Sequence, residues 1–275
     1  MKLNHPSLQG LSICMLSLLL MHCAPTPPAS NADVKPLMPP AETYADSVAI
    51  SAYDALGGAQ ALAELAALRF NFGFDRDGDV SVGRKHLWDK QTGDYRIEYN
   101  QGVDSSFVIL FNVNSKEGTS YLNGVALGDE ENAQRIESAY SSFINDTYWL
   151  LAPMKMMDPG VIRSFVADSS DALTDVVKMT FEGVGLTPGD QYWMYVDKAT
   201  GQLKRWSFVL QGNPEASPRA FDWEGYKSFD TPAGTLTFSE RKQSVGAPFA
   251  LLTDGVAVYN EAPEGMMTTT SAMLD

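Results

Sequence analysis

Residues 129–159 read DEENAQRIESAYSSFINDTYWLLAPMKMMDP, and the reading of this stretch decides the fold. Apolar residues recur at Ile136, Tyr140, Phe143, Ile144, Tyr148 and Leu151, the three-and-four spacing of one helix face. Asp129 can cap the start, Glu130 and Glu131 suit the positive end of the helix dipole, and Asp158-Pro159 is a stop signal. The second half, residues 148–157, is almost continuously apolar, from Tyr148 and Trp149 through Met154 to Met157. Such a segment is either a core plug or part of a hydrophobic binding cavity, and both readings stay open.

Segments of strand character lie on both sides of this helix. Upstream, Leu68, Phe70, Phe72 and Phe74 alternate with Arg69, Asn71, Gly73 and Asp75, the two-residue period of a strand with one buried face. Residues 80–88 form the returning strand. Tyr95, Ile97 and Tyr99 then alternate with Arg96, Glu98 and Asn100, residues 107–113 are apolar on both faces, and residues 119–122 end at Asn123-Gly124. Downstream, a short strand at 161–166 is followed by segments at 174–182, 191–196, 203–210, 221–229 and 235–245. Turn signals such as Pro188-Gly189-Asp190 and Asn213-Pro214 separate them. A last strand at 255–260 precedes what reads as a polar tail.

Ahead of the first strand, Tyr44, Val48, Ala52 and Leu56 repeat at fours, and Leu62, Leu65 and Leu68 at threes. Two short helices hinged at Gly57-Gly58 fit better than one, because each glycine costs about 1 kcal/mol inside a helix. About eleven strands with helices at the start and in the middle predict a mainly β (α+β) fold. It is a strongly curved antiparallel sheet, an unclosed β-barrel, with the helices covering its concave face. A closed barrel would exclude the central helix; an open one needs it to bury the inner surface.

The N-terminus has the parts of an export signal: Lys2, then an apolar run over 11–21 that is too short for a comfortable membrane span. The run ends at Leu20-Met21-His22-Cys23, which resembles a bacterial lipoprotein signal cut before a cysteine that is then lipidated. His22 departs from the small residue of that pattern. Residues 1–22 are thus expected to be removed, Cys23 to carry the lipid, 23–42 to be a flexible Pro-rich tether, and 43–275 to form one half-barrel domain.

Acidic residues number 34 against 20 basic ones, and without a basic face the chain cannot release the counterions of a phosphate backbone. No nucleic-acid partner is expected. Downstream of Cys23 the only histidine is His86, set in an alternating strand. A zinc site draws on clusters of His and Cys, a Ser-His-Asp hydrolase on a G-x-S-x-G elbow, and nucleotide cofactors on Walker A or G-x-G-x-x-G loops; none of these occurs. The Asp75–Asp79 run lacks the glycine and glutamate of a calcium loop, with Val80 and His86 at those places, and reads as a hairpin turn. No cofactor or metal is expected. A hydrolase working through paired acids stays open, since such pairing is spatial.

Aromatic residues are more informative. Phe70 and Phe72, Tyr95 and Tyr99, Trp193 and Tyr195, and Trp206 and Phe208 each share a strand parity. Taken singly they are core; collectively they suit a cleft for acyl chains, with adaptable methionines at its end. The expected ligand-binding residues are Phe70, Phe72, Tyr95, Ile97, Tyr99, Tyr148, Trp149 and Met154.

Three stretches carry a family resemblance: Ala55-Leu56-Gly57-Gly58 with Leu65 and Leu68-Arg69-Phe70; Tyr195-Val196-Asp197-Lys198-Ala199-Thr200-Gly201 turning into 203–208; and Asn145-Asp146-Thr147-Tyr148-Trp149-Leu150-Leu151 with Asp158-Pro159-Gly160. They resemble the periplasmic lipoprotein-carrier (LolA/LolB-like) superfamily and an uncharacterised lipoprotein family of that type. The resemblance implies an unclosed barrel with a helical lid over a hydrophobic cavity, binding a lipid or a lipoprotein acyl chain without catalysis. With Cys23 lipidated and Ala24 behind it, it further implies an outer-membrane lipoprotein facing the periplasm. It names no protein partner. Two other readings remain: a surface lipoprotein with a filled core, and an acid-dependent hydrolase on the same scaffold.

Overall fold

The computed structural model describes residues 38–274; Cys23, the 1–22 signal and most of the 23–42 tether lie outside them. Two helices open the described chain, α1 (Tyr44–Asp54) and α2 (Gly58–Glu64). Six strands follow: β1 (Ala67–Arg76), β2 (Asp79–Asp89), β3 (Asp94–Asn100), β4 (Ser106–Asn112), β5 (Gly118–Leu122) and β6 (Val125–Ala126). After the long helix α3 (Asp129–Lys155) come β7 (Val161–Phe165), β8 (Thr174–Phe181), β9 (Gln191–Asp197), β10 (Leu203–Val209), β11 (Arg219–Thr231), β12 (Gly234–Ser244), β13 (Phe249–Leu252) and β14 (Ala257–Tyr259).

The strands form one antiparallel, unclosed sheet in the order β6-β5-β4-β3-β2-β1-β13-β12-β11-β10-β9-β8-β7, with β14 also on β1. The fold class is the expected one, with fourteen strands instead of about eleven. The most consequential addition is β13, which pairs with β1 at Gly73–Arg76 and with β12 at Arg241–Gln243. It joins the two meanders into one sheet. Four residues after Pro248 carry too short a pattern to announce a strand.

The topology dictates where α3 must go. The strand before it, β6, is one edge of the sheet, and the strand after it, β7, is the other. A 27-residue helix is about 40 Å long, so the chain crosses from edge to edge over the concave face. Gly128, not Asp129, is the N-cap, and no side chain caps it; Asp129, Glu130 and Glu131 fill the first turn, where their charge suits the helix dipole. Pro153 falls in the last turn, and the helix ends two residues later.

The two halves of α3 bury different faces. Ile136 and Ala139, with Tyr140 and Phe143, pack on Tyr95, Ile97, Phe107, Ile109 and Phe111 of β3 and β4. Trp149 to Met154 enter the main core, formed with α1, α2, β1 and β8–β13. Thr43 caps α1 in a capping box with Asp46, whose other oxygen takes Arg163 of β7 at 2.5 Å. Gly57 lets the α1–α2 corner press on β12: its φ is +113°, and a Cβ there would run into the Thr235 carbonyl.

The tail after β14 is not a free polar end. Met266 and Leu274 are buried with Ala67 and Leu87. Fully buried Arg96 donates to the carbonyls of Met266, Thr269 and Ser271, while Glu98 accepts from the backbone N–H groups of Met273 and Leu274. Arg96 and Glu98 lie on the polar parity of β3, and the tail covers that face. The alternation was a correct strand signal whose polar side is also buried, because backbone groups satisfy its charges.

Candidate functional site

A cavity of about 420 Å³ lies between α3 and the β8–β10 side of the sheet. Its walls are Ile144, Tyr148 and Trp149 of α3, Phe181 of β8, Tyr192 of β9, Trp206 and Phe208 of β10, and Leu210 just beyond. The loop from Val184 to Asp190 closes one side, and Asn145, Thr187, Asp190 and Arg219 supply the polar lining.

Strand register makes this wall. Phe208 lies opposite Tyr192, and Trp206 opposite Met194, so Tyr192, Trp206 and Phe208 share the concave face. Trp193 pairs with Ser207 and therefore faces the other way, with Lys178 5.2 Å from its ring. The aromatic rings form a continuous lattice: Trp149 to Trp206 at 4.3 Å, Trp149 to Phe221 at 5.1 Å, Tyr192 to Trp206 at 5.1 Å, Phe181 to Tyr192 at 5.0 Å and Tyr148 to Trp206 at 5.6 Å. Offset and edge packing of this kind holds each ring in place.

Asp190 is the one carboxylate in the lining, and it is fully engaged. One oxygen accepts from the Gln211 backbone N–H at 2.8 Å, the other from Thr187 Oγ1 at 2.7 Å and the Tyr192 hydroxyl at 2.8 Å. It ties the β8–β9 loop to the end of β10. Burial, then the Asp190 carboxylate, pushes the Tyr192 phenol well above its ordinary range, so it stays a hydrogen-bond donor.

Of the eight expected ligand-binding residues, Tyr148 and Trp149 line this cavity. Phe70, Phe72 and Met154 sit in the main core, and Tyr95 and Ile97, with the half-buried Tyr99, under the N-terminal half of α3. Sequence parity placed these residues on the inner face but could not say which part of that face α3 fills. Ile144, Phe181, Tyr192, Leu210 and Arg219 were not foreseen. The signal for Tyr192 and Phe181 was weak, since each stands near a strand end where alternation is short.

His86 has an unexpected setting. It is fully buried, stacked on Phe70 at 4.5 Å, with Nδ1 2.8 Å from the Tyr95 hydroxyl and Nε2 3.1 Å from Asp146 of α3. The Nε2 approach lacks hydrogen-bond alignment, so we regard it as a close polar contact. Arg84 grips the same carboxylate through two bonds, 2.6 and 3.0 Å. Burial lowers the His86 pKa, against the pull of Asp146. For Asp146, burial works upward, but His86 and Arg84 together hold its carboxyl below the ordinary value. The charged pair is thus Arg84–Asp146, and it pins the middle of α3 to β2. None of these three residues lines the cavity.

Among the described residues no cluster of three His, Cys, Asp or Glu is arranged to hold a metal, and no helix is long and apolar enough to cross a membrane.

The arrangement is an apolar chamber on an open antiparallel sheet, with a helix strapped across it. No protein-family model and no curated protein matches the chain. Among solved structures it is similar to a DUF1329 family protein from Desulfovibrio piger, at 9% identity and a TM-score of 0.45 over 81% of this chain and 96% of that one. It is also similar to a putative outer membrane lipoprotein-sorting protein domain from Vibrio parahaemolyticus (8% identity, TM-score 0.41, 81% and 95% covered). A LolA superfamily protein from Nitrosomonas europaea gives 9% identity and a TM-score of 0.42, with 82% and 97% covered.

Proposed function

We propose that this chain is a non-catalytic, membrane-anchored lipoprotein that holds a hydrophobic ligand, a lipid or a lipoprotein acyl chain, in the cavity between α3 and β8–β10. One observation carries the reading: under the C-terminal half of α3 an aromatic-walled space of about 420 Å³ stays open beside the packed main core. That volume falls within the range of about 300–1,000 Å³ usual for small-molecule sites. Each methylene moved from water into it gains about 0.8 kcal/mol, so a long chain should bind in the micromolar range or tighter after ordering costs.

The hydrolase reading has less in its favour, because Asp190 has both oxygens occupied and the His86–Asp146 pair stands outside the lining. Anchoring through Cys23, residence at the outer membrane facing the periplasm, and a part in envelope lipid or lipoprotein transport belong to the same proposal. The test is displacement of a fluorescent fatty acid, together with native mass spectrometry of the purified protein. Saturable binding that is lost in Trp149→Asp, which puts an unpaired charge on the wall, supports it. No binding by the folded wild type would overturn it and leave the filled-core lipoprotein.

A further inference from the structure

Arg219 stands where the aromatic wall ends. It is the first residue of β11, and it pairs across the sheet with Phe208, so the two side chains leave the same face. Two and four residues on, Phe221 and Trp223 repeat that parity and are buried in the main core. The concave row therefore reads Trp223, Phe221, Arg219 from core to mouth. Arg219 is exposed and borders the cavity.

It is also alone. The other eight described arginines each have a partner: a backbone carbonyl for Arg69, an aromatic ring for Arg76, and a carboxylate for Arg84, Arg96, Arg135, Arg163, Arg205 and Arg241. Even Arg205, one strand away on the opposite face, is held by Asp222 at 2.6 Å. Among the described residues Arg219 has no hydrogen bond from its side chain, no ion pair and no ring beneath it. Among the described arginines of a chain of net charge −14, it is the exception. The carboxylate in the same lining, Asp190, has its oxygens turned to three donors.

Resting on the proposed binding of an apolar chain, we infer that the ligand is a single-chain anionic amphiphile: its chain lies in the aromatic cavity and its carboxylate or phosphate head meets the Arg219 guanidinium at the mouth. A guanidinium offers paired donors matched to either head. The cavity volume stands near the lower end of the usual range for small-molecule sites, which suits a single chain.

The experiment compares dodecanoate, dodecyl phosphate and dodecanol by calorimetry, on wild type and Arg219→Gln, at low and high salt. The expected result is that at least one anion binds wild type about five-fold tighter than the alcohol, in the range of a solvent-exposed ion pair. That preference should shrink with salt and vanish in R219Q, while the alcohol's affinity and the melting temperature stay unchanged. Which anion is preferred tells a carboxylate head from a phosphate head. Equal binding of all three by wild type, or an undiminished preference in R219Q, overturns the inference and leaves the apolar cavity standing. Failure of all three to bind overturns both.

Discussion

Arg84 and Asp146 are held together by two hydrogen bonds of 2.6 and 3.0 Å, one partner on the second strand and the other fully buried on the long helix. This pair connects the two structural questions of the chain, how the helix is fixed over the sheet and how much of the space beneath it is left open.

Removing one partner should cost far more than removing both. Asp146→Ala leaves a partly buried guanidinium and the buried His86 without their acid, and should destabilise the protein by about 3–5 kcal/mol in urea titration. The double change Arg84→Met with Asp146→Leu should recover a large part of that loss. A single mutant as stable as wild type would contradict the pairing.

The pH dependence follows from the buried histidine. His86 resists protonation when folded, chiefly through burial, whereas in the unfolded chain it titrates near its ordinary value of about 6.5. The unfolded state then binds the extra proton, so stability should fall as pH drops below about 6.5 and continue to fall towards the folded pKa. Asp146 adds a second, lower window: its folded pKa is depressed, so its contribution is complete above the unfolded value of about 4 and is lost as pH falls through the folded one. Chemical denaturation between pH 5.5 and 7.5 should show the first slope in wild type, and His86→Phe should flatten it.

Core and cavity separate by mutation. Met154 is 3% exposed and lies in the main core outside the cavity lining, so Met154→Ala should lower stability by about 2–5 kcal/mol with fatty-acid affinity little changed. Ile144 is half-buried against the cavity. Ile144→Trp should fill that space and weaken chain binding by about tenfold or more, with the melting temperature nearly constant. If the two variants exchanged these effects, the cavity would be misplaced.

The tail should be part of the folded unit. Ending the chain after Asn260 removes the carbonyls that satisfy Arg96 and the amides that satisfy Glu98, and it uncovers Ala67 and Leu87. The truncated protein should lose about 3 kcal/mol or more and become protease-sensitive. Undiminished stability in thermal melts would argue that the tail is dispensable.

The lipid anchor is tested at Cys23. Cys23→Ser expressed in a Gram-negative host should lose palmitate labelling and membrane partition, and unchanged labelling would remove the anchor from the proposal.

Local patterns in the chain were sufficient for the elements. The two-residue period of Phe70, Phe72 and Phe74, the three-and-four spacing from Ile136 to Leu151, and the Gly57-Gly58 hinge identified strands, helix and corner, because these depend on near neighbours and backbone sterics. Their order, sheet–helix–sheet, also implied an open sheet with a helix across it. What depends on register and distant pairing was decided only in three dimensions. The four-residue β13 closes the gap between the two meanders through bonds to Gly73 and Arg241, more than 160 positions apart in one case and near neighbours in the other. Arg96 and Glu98 looked solvated until the tail folded over them. Phe70 and Tyr192 are both aromatic and both turn inward, yet one is packed solid and the other borders empty space. The difference lies in which side chains the assembled sheet and α3 bring against each ring, which neither residue decides alone.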